Sequence, residues 1–297
     1  MTGNRLLAFV AGVSLFAIVP ASAQNPQVAR GEYLVTGPLA CGNCHTPKDA
    51  QLQPKANLAL AGGEKFNSPV FGLAYSKNLT PDVDTGIGAW SSDQIVRAIR
   101  EGVSREGATL GPPMPVRLYN KMSNDDANAV AAYLKSLKPV RNEVPEAKYK
   151  IPLNPQPAAA GAPAPPQTDK VAYGGYLTTV AHCFECHTPP GEGGRPDAAK
   201  FGAGGRTFFP VEGKPVRSPN ITSDKDTGIG NWTDAQIKTA IMQGIDKDGR
   251  QLIPQMPYPY FKNLTASDAD AIVAYLRTVP AVANPLPRNP SLQTYLQ

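Results

Sequence analysis

Cys41-Gly42-Asn43-Cys44-His45 recurs 142 residues later as Cys183-Phe184-Glu185-Cys186-His187, and these two pentapeptides hold all four cysteines of the chain. C-x-x-C-H is the attachment signal of a c-type haem. Two thiols add across the porphyrin vinyl groups, and the adjoining imidazole takes one axial position of the iron. The reading is therefore two covalently attached c-type haems (haem c, iron), bound through Cys41, Cys44, Cys183 and Cys186, with His45 and His187 as metal ligands. Zinc sites or a pair of disulfides also use C-x-x-C pairs. Neither accounts for a histidine directly after both pairs, or for their equivalent places within a repeat.

That repeat extends far beyond the motifs. A shift of 142 residues lays Gly62-Gly63 on Gly204-Gly205, Phe66 on Phe208, and Ser76 and Asn78 on Ser218 and Asn220. It also lays Thr85-Gly86-Ile87-Gly88 on Thr227-Gly228-Ile229-Gly230, Trp90 on Trp232, Met114 on Met256, and Ala132-Tyr133-Leu134 on Ala274-Tyr275-Leu276. One single-residue adjustment ahead of the haem motif brings Gly31 and Tyr33-Leu34 onto Gly174 and Tyr176-Leu177. This is an internal duplication. It gives units at 24–143 and 168–282, each modest for burying a core without the apolar mass of a haem. Residues 144–167 between them carry seven prolines and an Ala/Gly stretch, which predicts a semi-rigid spacer on the surface. Residues 283–297 form a C-terminal tail.

Within each unit, helical patterns are few. Ser92 is placed to cap a helix bearing Ile95, Val96 and Ile99 and ending near Gly102; Thr233 does the same for Ile237, Ala240 and Ile241 up to Gly244. A last helix is predicted from about Asp125 to Leu137 and from Ser267 to Thr278, and a first one around Tyr33 and Tyr176. The remainder is rich in Gly, Pro and Asn and reads as loop. The fold class is thus mainly α.

Residues 1–23 read as a secretory signal, with Arg5 at the positive start, an apolar run from Leu6 to Val19 and a small-residue cleavage site at Ala21-Ser22-Ala23. Export fits haem attachment outside the cytoplasm, so the expected location is the periplasm. No later segment is long and apolar enough to span a bilayer, and membrane association is expected only through a partner. The formal charge of +5 falls to +4 without Arg5, and ionised propionates on two haems add roughly four negative charges. No Lys- or Arg-rich run points to nucleic acid. Residues 24–142 hold 13 Lys and Arg against 10 Asp and Glu, whereas residues 168–282 hold 12 of each.

The opposite axial position follows by elimination. His182 is the one histidine outside the motifs, and it sits too close to Cys183 to reach the far face of the same iron. Among the methionines, only Met114 and Met256 correspond to each other, each 69 residues after its haem histidine and each in a proline-rich loop. Proline constraint holds a thioether in place at low entropic cost. His/Met ligation raises the reduction potential and leaves no open site, so the chemistry is one-electron transfer.

Gly31 with Tyr33 and Ala132-Tyr133-Leu134, and their counterparts Gly174 with Tyr176 and Ala274-Tyr275-Leu276, resemble the crossing terminal helices of class I c-type cytochromes. The chain as a whole resembles their dihaem members. Asn78-Leu-Thr-Pro-Asp with Thr85-Gly-Ile-Gly, repeated at Asn220, is similar to the cytochrome c subunits that accompany periplasmic alcohol, aldehyde and sugar-acid dehydrogenases. That resemblance implies an electron carrier rather than an enzyme, with a dehydrogenase as donor and an oxidase or a quinone-linked protein as acceptor. It also implies Trp90 and Trp232 as indole donors to a haem propionate, with Asn78 and Asn220 as neighbours. The competing reading is a dihaem cytochrome c peroxidase, which needs an iron that opens its sixth position and further histidines. A thiosulfate-oxidising dihaem enzyme needs a cysteine ligand, and none is spare.

Overall fold

The computed structural model describes Met1 and residues 25–192, 195–211 and 213–297; apart from Met1, the predicted signal sequence lies outside the described residues. The first half runs α1 (Pro26–Thr36), α2 (Cys41–His45), β1 (Lys65–Ser68), β2 (Gly72–Tyr75), α3 (Ser92–Glu101), α4 (Val116–Tyr119) and α5 (Asn124–Ser136). A two-residue strand, β3 (Lys148–Tyr149), follows. The second half repeats this order as α6 (Lys170–Val180), α7 (Cys183–His187), β4 (Thr207–Val211), β5 (Lys214–Arg217), α8 (Asp234–Gln243), α9 (Tyr258–Phe261) and α10 (Ala266–Leu276). It closes with α11 (Leu292–Leu296).

Each half is built around one helix crossing. Pro26 starts α1 behind an Asn25 cap, and Ser123 caps α5 through the amide of Asp126. The two helices meet where Gly31 faces Ala129. A Cβ on Gly31 would lie 1.9 Å from the Ala129 carbonyl oxygen and 2.7 Å from Tyr133 Cβ, so only glycine permits this approach. Gly174 stands in the same relation to Ala271 and Tyr275 across α6 and α10. Gly31→Ala is expected to destabilise the protein by an amount near the upper end of the ~1–3 kcal/mol that overpacking costs. An unchanged urea midpoint would show that this contact does not set the crossing.

The middle helices are capped by repeated chemistry. Thr233 caps α8 and Gly244 closes it in the left-handed region at φ 67°. In the first half the cap is Ser91, one residue earlier than the predicted Ser92. Its hydroxyl accepts the Gln94 amide while the Gln94 side chain accepts the Ser91 amide, which forms a capping box. The Gly/Asn-rich stretches read as loop contain two antiparallel hairpins, β1–β2 and β4–β5.

Residues 144–167 are exposed or half-buried throughout, and residues 148–157 are tied to the first half. β3 pairs with β2, the Tyr149 hydroxyl donates to the Pro112 carbonyl, the Gln156 amide donates to Glu101, and Asn120 donates to Pro157. The C-terminal tail is anchored in the same way. Tyr295 on α11 is buried, donates to the Lys214 carbonyl and accepts the Val211 amide.

The two halves pack against each other with a reciprocal pair of contacts. The Tyr33 hydroxyl donates to Asp268 at the start of α10 (2.6 Å), and the Tyr176 hydroxyl donates to Asp126 at the start of α5 (2.6 Å). Each tyrosine oxygen also accepts a backbone amide at 3.3 Å, from Thr265 and Ser123 respectively. The cores interleave as well: Val180 packs into the first apolar cluster and Ala40 into the second.

Candidate haem sites

Both C-x-x-C-H motifs form a single helical turn, α2 and α7, entered through a residue in the left-handed region, Ala40 (φ 46°) and His182 (φ 47°). The four cysteines are unbridged. Burial pushes the thiols of Cys41, Cys183 and Cys186 up to about 12. Among the described residues, no three His, Cys, Asp or Glu side chains gather as a metal cluster.

The motif histidines are held identically. His45 Nδ1 lies 2.7 Å from the Lys77 carbonyl oxygen, and His187 Nδ1 lies 2.8 Å from the Pro219 carbonyl. A carbonyl can only accept, so the proton sits on Nδ1 and Nε2 is left with its lone pair free for iron. Burial holds both rings below the ordinary histidine value, which keeps them neutral and ligand-competent. The donor set therefore fits a haem iron in each half.

Met114 and Met256 both precede the short helices α4 and α9, with each carbonyl accepting the amide two residues on. Met114 packs against the first apolar cluster, as do Trp90, Val96, Ile99 and Cys41; Met256 packs against the second, as do Trp232, Ile241 and Cys183. Met122 is core, 1% exposed; Met242 is half-buried against the second cluster, as Met256 is, and its duplicate position is Arg100 rather than a methionine. The His182 ring meets Tyr119 edge-on at 6.3 Å in the seam between the halves. Burial lowers it to about 4.

Trp90 and Trp232 line the same clusters, and no protein acceptor takes either indole N–H among the described residues. Asn78 and Asn220 are spent elsewhere. Asn78 Nδ2 donates to the Val140 carbonyl and Thr85 Oγ1, while its Oδ1 accepts the amide and hydroxyl of Thr80. Asn220 repeats all four bonds with Val282, Thr227 and Thr222. These asparagines pin the chain beyond the last helix to the loop carrying the haem histidine's carbonyl partner. Asn142 and Asn284 complete the clasp. Their backbone amides donate to Thr85 and Thr227, and their side chains donate to the Ala61 and Ala203 carbonyls. Sequence reasoning passed over this pair, although the 142-residue shift aligns it.

A one-turn C-x-x-C-H helix flanked by crossing terminal helices, present twice, defines a tandem two-haem cytochrome. The chain belongs to the cytochrome c family, whose profile matches residues 28–138 and 171–280. It is 33% identical to the fructose dehydrogenase cytochrome subunit of Gluconobacter japonicus over 89% of this chain and 55% of that protein. It is 32% identical to the cytochrome c subunit of a quinone-linked alcohol dehydrogenase of Gluconobacter oxydans, over 91% of this chain and 58% of that protein. A dihaem c-type cytochrome of Cereibacter sphaeroides is 28% identical across 95% of this chain and 98% of its own length. The chain spans little more than half of the length of these two dehydrogenase subunits. The two profile matches, each containing one C-x-x-C-H motif, and the dihaem relative show that this chain carries two c-type haems.

Proposed function

We propose that the protein is a periplasmic electron-transfer subunit that takes single electrons from a partner dehydrogenase and passes them through two His/Met haems towards a quinone-linked acceptor or a terminal oxidase. The observation that carries this reading is the duplicated carbonyl clamp on His45 and His187, which leaves Nε2 of each ring free for iron. Cys41 and Cys44 hold the first haem and Cys183 and Cys186 the second. Met114 and Met256 supply the opposite axial thioethers, and the free indole N–H groups of Trp90 and Trp232 meet propionates. A bound haem supplies one-electron redox chemistry. The protein fixes its ligands, keeps the crevice apolar and fills both axial positions. The names of the dehydrogenase-subunit relatives support a dehydrogenase as donor. No described helix is long and apolar enough to cross a membrane.

Rapid mixing with a small reductant should reduce both haems, and an oxidised acceptor protein should then drain both. Hydrogen peroxide should give no turnover. Peroxidase rates of roughly 1 to 1000 per second, typical of enzymes, would overturn the carrier reading and favour the dihaem peroxidase.

A further inference from the structure

The two halves differ beside α2. In the second half, Phe184 lies between the two haem cysteines and stacks on Phe201 with ring centroids 4.1 Å apart, and Tyr275 meets Phe184 edge-on at 6.1 Å. The duplicate positions in the first half are Gly42, Ala59 and Tyr133. The two phenylalanine rings are missing, and a half-open cavity of about 530 Å³ lies there, with Gly42, Thr46, Ala59, Leu60, Tyr133 and Tyr260 among its walls. That volume is in the range of ligand and anchor pockets.

The cavity is only partly compensated. Leu60 replaces Gly202 and buries its side chain, but does so at φ 58°, a left-handed conformation that glycine adopts freely and leucine does not. Tyr260 reaches across from the second half and closes one end: a Cβ on Gly42 would lie 2.6 Å from its ring. The rim differs in charge as well. Lys138 lines the cavity and Lys55 adjoins it, both exposed and without an ion-pair partner among the described residues, where the second half has Pro280 and Asp197.

We propose that this groove receives an aromatic side chain of the protein that exchanges electrons with the first haem, carried on a segment whose carboxylates meet Lys55 and Lys138. The inference rests on the electron-transfer reading. The duplicate half shows what the space accepts, because it fills the same space with stacked aromatic rings of its own. The two unpaired lysines set the sign of the partner's flanking charge. Buried aromatic anchors with a charged rim are the usual centre of a protein interface. An anchor seated here lies against the turn between Cys41 and Cys44, to which the first haem is joined.

The test uses the ferrous holoprotein and two probes followed by amide chemical shifts: an acetylated Asp-Glu-Phe-Asp-Glu amide peptide and a neutral short-chain quinone. The peptide should shift Gly42, Ala59 and Lys138 and bind at least tenfold more weakly at high salt. Ala59→Phe copies the backbone of Phe201 (φ −56°, ψ 120°) at a site of nearly identical geometry (φ −53°, ψ 123°), and should weaken peptide binding at least tenfold. Lys55→Asp with Lys138→Glu should do the same by reversing the rim charge, with Gly42, Ala59 and Tyr133 left as they are. Reduction of both haems by a small reductant should be unchanged in either variant. Loss of that reduction in the unsubstituted protein would sink the electron-transfer reading itself. Absence of peptide shifts at the groove, equal peptide binding by Ala59→Phe, or binding of the quinone in place of the peptide would each overturn the proposal.

Discussion

Alanine at both Cys41 and Cys44 is expected to give a chain that retains one covalent haem instead of two, seen by intact mass and by haem staining after denaturation. The effect on the first half should be larger than the loss of a cofactor. Leu34, Leu39, Met122 and Leu134 are almost fully buried in the cluster that Cys41 packs against, and a unit of this size relies on the haem for apolar mass. The first half should therefore lose its cooperative unfolding transition, while Cys183 and Cys186 still hold the second haem. Two haems per chain in this variant would refute the assignment of the motif.

Met114→Ala and Met256→Ala should each remove about half of the weak red absorption that a thioether gives on ferric haem, because the two sites are near-copies. Each should also lower the potential of its own haem, by on the order of 0.1–0.3 V within the roughly 0.8 V that axial ligands span. Each opens one iron to small ligands such as carbon monoxide. A double variant should lose the band entirely. An unchanged band in either single variant would assign the sixth position of that haem to another side chain.

The haem motifs, the duplication and the crossing helices were legible because each depends on residue types with few substitutes. Gly31 and Gly174 are dictated by a carbonyl 1.9 Å from where a Cβ would stand. In the repeated Thr-Gly-Ile-Gly, Gly86 and Gly88 press on the Thr80 and Pro81 carbonyls. The hairpins were invisible because β1 and β2 span four residues each, too short for alternation to register. At Asn78 the motif shows that an amide is needed, not which groups it meets. Its four hydrogen bonds go to partners from 2 to 62 residues away. Tyr33 and Tyr176 marked the first helix of each unit correctly, yet their hydroxyls bond partners in the opposite half, which no pattern local to one unit can announce.

Those crossed tyrosine–aspartate bonds have the form of an isologous contact, in which residue i of one copy meets residue j of the other and j meets i. Such reciprocity is the mark of two identical chains related by a two-fold axis. Here the two copies are the halves of one duplicated chain. A tether relaxes the demands on such a surface, because it supplies a high effective concentration and the contact no longer has to hold the pair together unaided. Its residues could then drift apart. Arg117 bonds Glu185 at 2.7 Å, where the mirrored positions hold Pro259 and Asn43; His182 stands opposite Ala40. The consequence is that two haem sites whose ligand sets are near-copies now stand beside unlike groups along the seam.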